Sequence, residues 1–323
     1  MDSITQITSN QIEKVNNLIL NRINSDNPLI THIANYLLTS GGKSLRPILS
    51  IASALIFEKK IDNKIIFLAA AVELIHTATL LHDDVVDNSL IRRGKTSANN
   101  LWGNQATILV GDYLFSNAFE LMVKTSSMDV LQILSNASCK IAEGEILQLS
   151  TQNDPKTSKK DYLKIIISKT AELFSAACKA SAILSSENQK QINALANFGR
   201  ELGISFQLID DVLDYSGNES EFGKKIGDDF KTGKISLPII YAFKNGTSIE
   251  KKFWYRVIKD LDQNENDFQQ AILLINKYHG IKNTYLLAKK HANNAINALS
   301  IFENNQIKKA LIEAANFSVE RAS

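Results

Sequence analysis

The residues best suited to chemistry form two aspartate clusters with the same spacing. The first reads DDVVD over residues 83–87 and the second DDVLD over residues 210–214. Their acids are Asp83, Asp84 and Asp87, and Asp210, Asp211 and Asp214. Each cluster follows an apolar run, so we expect it to lie at the C-terminal end of a helix, with the first and last acids one turn apart on the same face.

Carboxylates so placed repel one another and oppose the negative end of the helix dipole. A divalent cation relieves both penalties, and a set of oxygen ligands without cysteine or paired histidine indicates a hard ion such as Mg²⁺. Either cluster alone could equally be a solvated helix end or an ordinary cap. Two copies make the metal interpretation the stronger one.

Basic residues lie near both clusters. They are Lys43 and Arg46 in GGKSLRP, Arg92 and Arg93 after the first cluster, Lys169 before Thr170, and Lys224 and Lys234 around a glycine-rich loop. Any one of these could be an ordinary surface charge. Together, beside carboxylates, they predict phosphate ligands, because arginine can bind phosphate through two nitrogens and free N–H groups at a helix start favour anions.

Acids for a metal and bases for phosphate indicate a substrate that carries a diphosphate. The chain shows no Ser-His-Asp order, no CxxC and no GxxxxGK[ST] motif for a nucleotide. We therefore expect electrostatic catalysis, in which metal ions draw off a diphosphate leaving group.

Helical periodicity dominates the segments that must position these residues. Helices are predicted over residues 10–24, 27–40, 46–57, 62–87, 97–124, 128–151, 158–184, 188–215, 234–244, 248–260, 265–278, 280–299 and 303–320. No persistent alternation with period two is present. The pattern predicts an all-α bundle that forms a single domain over residues 1–323. The charged loop 216–233 is long enough to be functional.

Composition narrows the function classes further. The chain has 323 residues, 44% hydrophobic and 22% charged, and its net charge of +2 predicts no global attraction to nucleic acid. Cys139 and Cys178 match no metal spacing and are expected to be buried thiols in a reducing compartment. The polar N-terminus predicts no signal or transit peptide, and no uncharged run reaches the roughly 18 residues that span a bilayer. The sequence predicts a cytoplasmic protein without an integral membrane segment.

With these motifs the chain resembles the trans-isoprenyl diphosphate synthases, the polyprenyl synthetase family. The resemblance rests on GGKSLRP, LLHDDVVDNSLIRRG, GDYLFS, AEGEILQL, SKTAELF and FQLIDDVLDYSG…FGKKIGDDFKTGKISLP, in the order and spacing of the family. It spans about residues 10–320 and is highly specific. The segments ELIHTATLLHDDVVD and AEGEILQLSTQNDP are most similar to bacterial octaprenyl diphosphate synthases, which make quinone side chains.

The resemblance implies an isoprenoid-synthase-type bundle with a central active-site cavity, and a homodimer whose product is handed to a membrane enzyme. It also implies a head-to-tail condensation of an allylic diphosphate with isopentenyl diphosphate. About three Mg²⁺ ions would be held by Asp83, Asp87 and Asp210, with Asp84, Asp211 and Asp214 in support. The allylic diphosphate would meet Arg92, Lys169, Thr170, Gln207, Lys224 and Lys234. Isopentenyl diphosphate would meet Lys43, Arg46, His76 and Arg93.

His76 precedes Asp83 by about two helical turns and so faces nearly the same side of the helix. That position favours a ligand role over the alternative of a packed histidine. The other histidines, His32, His82, His279 and His291, are expected to be surface, packed or hydrogen-bonded residues.

Product length is predicted from the residues before the first cluster. Ala78 and Thr79 lie one turn deeper than Asp83, where short-chain members of the family often carry a bulky aromatic floor. Small residues leave a channel open and predict a long-chain product, octaprenyl by the resemblance. Leu121 and Met122 are candidates for a deeper floor, with ordinary core packing as the alternative.

Three rival interpretations stay open. A geranylgeranyl or farnesyl diphosphate synthase would share every motif and differ in product length. A non-catalytic subunit of a heteromeric synthase would usually have eroded aspartate motifs, which are intact here. A class I terpene cyclase would usually carry a second motif with Asn, Ser or Thr, and Glu, and would lack GGKSLRP.

Overall fold

A computed structural model describes residues 2–39, 44–58, 60–92, 94–186, 188–216 and 226–321. Sixteen α-helices lie in these ranges: α1 Asp2–Ile23, α2 Pro28–Thr39, α3 Leu45–Leu55, α4 Asn63–Val86, α5 Ala98–Trp102, α6 Asn104–Lys124, α7 Met128–Thr151, α8 Lys159–Ile166, α9 Glu172–Ser185, α10 Gln189–Ser216, α11 Asp228–Lys231, α12 Leu237–Asn245, α13 Ser248–Trp254, α14 Asp267–Lys277, α15 Gly280–Ala298 and α16 Gln306–Glu320. Two π-helical turns, Ile167–Ala171 and Tyr255–Lys259, and a 3₁₀ turn, Leu299–Ile301, join or extend them. The all-α prediction is confirmed.

Most predicted helix boundaries agree with the structure to within a few residues, but three long helices are interrupted. The predicted helix 97–124 breaks at Gly103, whose φ of 83° suits glycine and ends α5 before α6 begins. The predicted helices 158–184 and 248–260 each contain a π turn. The loop 216–233 contains the short helix α11.

A small antiparallel hairpin follows α4 and has no counterpart in the predicted helices. Its strands are β1 Ile91–Arg92 and β2 Lys95–Thr96, paired in the register Ile91 with Thr96. Gly94 in the turn has φ 75°, a conformation that glycine adopts without strain. With two residues in each strand, the hairpin is too short to produce a visible alternation in the sequence.

By its internal contacts the chain divides into two compact units. One comprises Met1–Ser138, Leu173–Gly199 and Ala298–Ala314, and the other Cys139–Glu172, Arg200–Asn297 and Ala315–Ser323. The single domain over residues 1–323 stays a prediction.

The first unit is built around α4, which is apolar on nearly all sides and packs most extensively against α6, with α1 and α3 on other faces. The N-cap Asp62 accepts hydrogen bonds from the N–H groups of Lys64 and Ile65 at 3.0 and 3.2 Å. The second unit contains two apolar clusters. One includes Tyr162, Leu208 and Leu237, and the other Phe230, Trp254 and Ile275.

The thiol prediction is wrong for one residue: Cys178 is buried, but Cys139 is exposed on α7. Helices α4 and α6 are long and apolar enough to cross a membrane by length and composition. Since 67% of the apolar window of α4 is buried inside the protein, as in the core helix of a soluble protein, this is weak evidence for a span.

Candidate active site

The first aspartate cluster occupies the C-terminal end of α4, as predicted. Asp83 is half-buried, Asp84 is completely buried and Asp87 is exposed as the C-cap residue. The cluster therefore divides by position: its first and last acids have access to solvent and its second does not.

Asp84 is held by the hairpin that follows the helix. Arg92 on β1 donates from Nε to Asp84 Oδ1 at 2.8 Å, and a second guanidinium nitrogen donates to the same oxygen. Burial raises the pKa of Asp84, and the neighbouring Arg92 acts against that rise. In this structure Arg92 is the counter-charge of Asp84, and its predicted contact with the allylic diphosphate stays a prediction.

Two of the four residues predicted to bind isopentenyl diphosphate lie within the described part of the chain. Arg46 is half-buried in the first turn of α3, and its guanidinium stands 4.6 Å from the centre of the Phe174 ring. His76 is half-buried on α4, two turns before Asp83. Lys43 and Arg93 fall outside the described residues.

The other histidines match their predictions. His82 lies against α6, with its Nε2 3.2 Å from the carbonyl oxygen of Ile108. His291 contacts Glu201 at 2.8 Å. His32 and His279 are exposed.

The second cluster lies in the last two turns of α10, and its three acids have different environments. The side chain of Asp210 is 38% exposed and accepts a hydrogen bond from Arg321 at 3.1 Å. Asp214 is buried, and its Oδ2 accepts from the backbone N–H of Asp229 at 3.2 Å. Asp214 thus anchors the start of α11 rather than acting only as a partner of Asp210.

Asp211 is the most enclosed acid of the second cluster. Its Oδ2 accepts from the hydroxyl of Tyr162 at 2.6 Å and from the N–H of Leu237 at 3.4 Å, and its Oδ1 accepts from Gln207 at 3.1 Å. Burial and the nearby charge of Asp229 raise the pKa of Asp211. Burial and the charge of Asp211 raise the pKa of Tyr162 far above its usual value, so the phenol stays a donor.

Lys169 and Thr170 lie on the π turn Ile167–Ala171, a distortion that often marks functional sites. Lys169 Nζ forms an ion pair with Glu145 of α7 at 2.6 Å, and Thr170 donates to Gln207 at 2.9 Å. The turn packs closely on α7: a Cβ added at Gly144 would lie 2.8 Å from the Cβ of Ser168 and 3.1 Å from the backbone nitrogen of Lys169.

Lys234 donates to the buried carboxylate of Asp229 at 3.2 Å. Lys224 lies outside the described residues. Four residues of this region were not predicted from sequence: Glu145, Tyr162, Asp229 and Arg321. Glu145 and Asp229 stand inside motifs already noted, AEGEILQL and FGKKIGDDFKTG, which was the available signal. Tyr162 stands in an ordinary amphipathic helix and Arg321 directly follows the last helix, so neither gave a signal.

The chain-length candidates belong to the first unit. Ala78 is completely buried, whereas Thr79 is half-buried and donates its hydroxyl to the carbonyl oxygen of His76 at 2.8 Å. Leu121 and Met122 are completely buried on α6. Their burial agrees equally with a channel floor and with ordinary core packing.

In both clusters the second acid is buried and accepts hydrogen bonds from the protein, while the first is partly exposed, and Asp210 also accepts one from Arg321. Such carboxylates suit hard cations, which commonly use few protein ligands and complete their shell with water and phosphate. Within the described ranges, no group of three or more His, Cys, Asp or Glu could hold a metal by itself.

Comparison with known proteins agrees with this arrangement. The model of the Polyprenyl synthetase family matches residues 27–275. The octaprenyl diphosphate synthase of Haemophilus influenzae is 39% identical over 99% of this chain and 97% of its own length, and that of Escherichia coli is 38% identical over 99% of each.

A crystal structure of a polyprenyl synthase from Caulobacter crescentus, complexed with calcium and isoprenyl diphosphate, is 44% identical. It superposes with a TM-score of 0.96 over 100% of this chain and 98% of its own. This superposition covers the whole of this chain, including both aspartate clusters. The chain therefore belongs to the polyprenyl synthetase family of prenyltransferases.

Proposed function

We propose that this protein is a long-chain all-trans polyprenyl diphosphate synthase, which extends an allylic diphosphate such as farnesyl diphosphate with successive isopentenyl diphosphates. The observation that carries the proposal is the pair of intact aspartate clusters in a chain similar to octaprenyl diphosphate synthases over 99% of its length. The similar enzymes include an all-trans-nonaprenyl-diphosphate synthase and a decaprenyl diphosphate synthase, both from Rhodobacter capsulatus. Octaprenyl diphosphate, destined for a quinone side chain, is the product we favour.

Asp83, Asp87 and Asp210 would hold Mg²⁺, about three ions in all by resemblance to the family. The donor set fits: these carboxylates keep solvent access while Asp84 and Asp211 are occupied by protein donors. When bound, Mg²⁺ supplies positive charge that stabilises the diphosphate as a leaving group.

The residues of the chain would bind and orient the two substrates. Lys169, Lys234 and Arg92 bring positive charge to the allylic diphosphate, whose C–O bond breaks to leave an allylic cation. Lys169 is already oriented by Glu145, and Lys234 by Asp229. We assign Thr170, Gln207 and Lys224 to the same diphosphate.

Lys43, Arg46, His76 and Arg93 would hold isopentenyl diphosphate so that its alkene attacks the allylic cation. A new carbon–carbon bond forms, and one proton leaves the resulting cation for the departed diphosphate. The main contribution of these side chains is to hold the two substrates close together and correctly oriented for reaction, because orientation alone can supply a large part of a rate enhancement.

Ala78 would let the product grow. Its small side chain is completely buried on α4, so a larger residue there would fill the space that a growing chain needs. Thr79 would act in the same way, and Leu121 and Met122 are proposed as a deeper floor.

Mass analysis of the product from farnesyl diphosphate, isopentenyl diphosphate and Mg²⁺ tests the proposed function. We expect a product of about eight isoprene units and loss of most turnover in Asp83→Ala and in Asp210→Ala at saturating Mg²⁺. A C20 product would favour a geranylgeranyl diphosphate synthase. A C15 product made from dimethylallyl or geranyl diphosphate, with no elongation of farnesyl diphosphate, would favour a farnesyl diphosphate synthase. No product from any of these primers would favour a non-catalytic subunit. Turnover without isopentenyl diphosphate would favour a terpene cyclase.

We also propose that the protein is a homodimer through α6. Leu109 is 68% exposed and Val123 65%, and Ile108 and Phe119 are also exposed on this helix. Light scattering that shows a monomer at micromolar concentration would contradict the dimer. Cytoplasmic location, absence of nucleic-acid binding and transfer of the product to a membrane enzyme stay predictions.

A further inference from the structure

A chain of hydrogen bonds in the second unit connects four side chains from two segments. Tyr162 donates to Asp211, Gln207 donates to the other oxygen of Asp211, and Thr170 donates to Gln207, at 2.6, 3.1 and 2.9 Å. Tyr162 lies on α8 and Thr170 on the π turn that follows, so both ends of the chain belong to one segment. Its middle belongs to α10.

This series of hydrogen bonds connects the second aspartate cluster, which includes a proposed Mg²⁺ ligand, to the residues proposed to bind the allylic diphosphate. Asp211 directly follows Asp210, which is proposed to bind Mg²⁺. Gln207 and Thr170, the other members of the hydrogen-bond series, are assigned to the allylic diphosphate. A rotation of the Asp211 side chain would break its hydrogen bond with Gln207 and so release the side chain on which Thr170 also depends. A group that holds Asp211 holds the whole arrangement.

Tyr162 is suited to that task by its burial. It is 3% exposed and lies in the same apolar cluster as Leu208 and Leu237, so its hydroxyl is shielded from bulk solvent. Among the described residues, removal of the hydroxyl would leave Asp211 Oδ2 with only the long hydrogen bond from the N–H of Leu237, at 3.4 Å.

We propose that Tyr162 is a positioning residue, which acts through Asp211 and Gln207 to set the second aspartate cluster and the π turn for Mg²⁺ and diphosphate. This inference rests on the proposed function. It assigns Tyr162 no contact with substrate: its effect passes through the carboxylate of Asp211.

The test compares Tyr162→Phe with Tyr278→Phe. The hydroxyl of Tyr278 also donates to a carboxylate, Glu250, at 2.7 Å, and neither Tyr278 nor Glu250 belongs to the proposed site. For Tyr162→Phe we expect kcat to fall about tenfold and the Mg²⁺ concentration for half activation to rise severalfold, with the KM for isopentenyl diphosphate within about twofold of the unaltered protein. Tyr278→Phe should leave all three constants unchanged.

A purely structural role would reduce the active fraction and leave the Mg²⁺ dependence where it was. An unaltered kcat and Mg²⁺ midpoint in folded Tyr162→Phe would therefore overturn the proposal. Should this variant fail to fold, Asp211→Asn keeps the shape of the side chain and must show the same shift in Mg²⁺ dependence. A normal Mg²⁺ midpoint in Asp211→Asn also overturns the proposal.

The double variant Tyr162→Phe with Asp211→Asn distinguishes action through Asp211 from an independent effect. Because both changes act on one interaction, it should be no more impaired than Asp211→Asn alone. Full additivity would contradict the proposal.

Thermal stabilisation by Mg²⁺ with inorganic diphosphate gives a readout that needs no turnover. Tyr162→Phe should require more Mg²⁺ than the unaltered protein for the same rise in Tm. If the unaltered protein makes no prenyl product, the proposed function fails, and this measurement still decides the role of Tyr162: equal midpoints refute it.

Discussion

Replacement of Gly144 by alanine should displace the π turn that carries Lys169 and Thr170. The new Cβ would lie 2.8 Å from the Cβ of Ser168 and 3.1 Å from the backbone nitrogen of Lys169. Carbon atoms in van der Waals contact are separated by about 3.5–4.0 Å, so the turn or α7 must move by about 1 Å. Neither neighbour is the end of a flexible side chain, so the backbone itself has to shift.

The expected magnitudes follow from that displacement. Overpacking of this kind costs about 1–3 kcal/mol of unfolding free energy. A misplacement of about 1 Å in a substrate-binding group can lower turnover about 100-fold. We therefore expect Gly144→Ala to remain folded, with a Tm lower by a few degrees, and to lose far more kcat than its stability loss explains.

Steady-state kinetics and thermal melts of the purified protein provide the assay, with Gly246→Ala as the matched control. At Gly246 the added Cβ would also be tight, 3.0 Å from the carbonyl oxygen of Ala242, but that turn carries none of the proposed site residues. A folded Gly144→Ala variant with kcat within about twofold of the unaltered protein would refute the reasoning, since a 1 Å shift should not be silent. Equal losses of kcat in both variants would show that general overpacking, rather than the π turn, is responsible.

Three further outcomes are expected. Ala78→Phe should shorten the product, because Ala78 lies one turn deeper than Asp83 and an aromatic side chain there would occupy the space proposed for the growing prenyl chain; mass analysis that finds an unchanged chain length would exclude this position as a determinant. Glu201→Gln should lower the free energy of unfolding by about 2 kcal/mol at neutral pH, because its carboxylate accepts hydrogen bonds from His291 and Asn294. Although burial acts in the opposite direction, these partners lower the pKa of Glu201 below its ordinary 4.5, so the advantage of the unaltered protein is present above that pH and should disappear in melts as the pH falls below it. Asp229→Asn should raise the Mg²⁺ requirement in activity assays, since it weakens the hold on Lys234, and an unchanged Mg²⁺ titration would argue against that role.

Much of the helical framework could be predicted from sequence. The helix predicted at 62–87 is Asn63–Val86, and that predicted at 128–151 has those bounds in the structure. Apolar residues recur with the period of a helix, and this local pattern predicts where a helix lies and that the acids stand at its end. The π turn Ile167–Ala171 was missed because it packs on Gly144, a neighbour remote in sequence. The break at Gly103 has a local cause, the positive φ that a glycine adopts, but a single glycine in a helical pattern does not by itself end a helix.

By itself, the sequence determined the class of chemistry: two aspartate clusters, their basic neighbours and the family to which such motifs belong. Only the tertiary structure decided which acids of each cluster are buried and which are exposed to solvent. Asp84 is engaged by Arg92 from a hairpin eight residues away, and Asp211 by Tyr162 from a helix 49 residues away. In DDVVD and DDVLD alike, the first two acids are the same residue type and adjacent, so the sequence does not distinguish them. Burial does, because a buried carboxylate is stable only where folding brings hydrogen-bond donors to it.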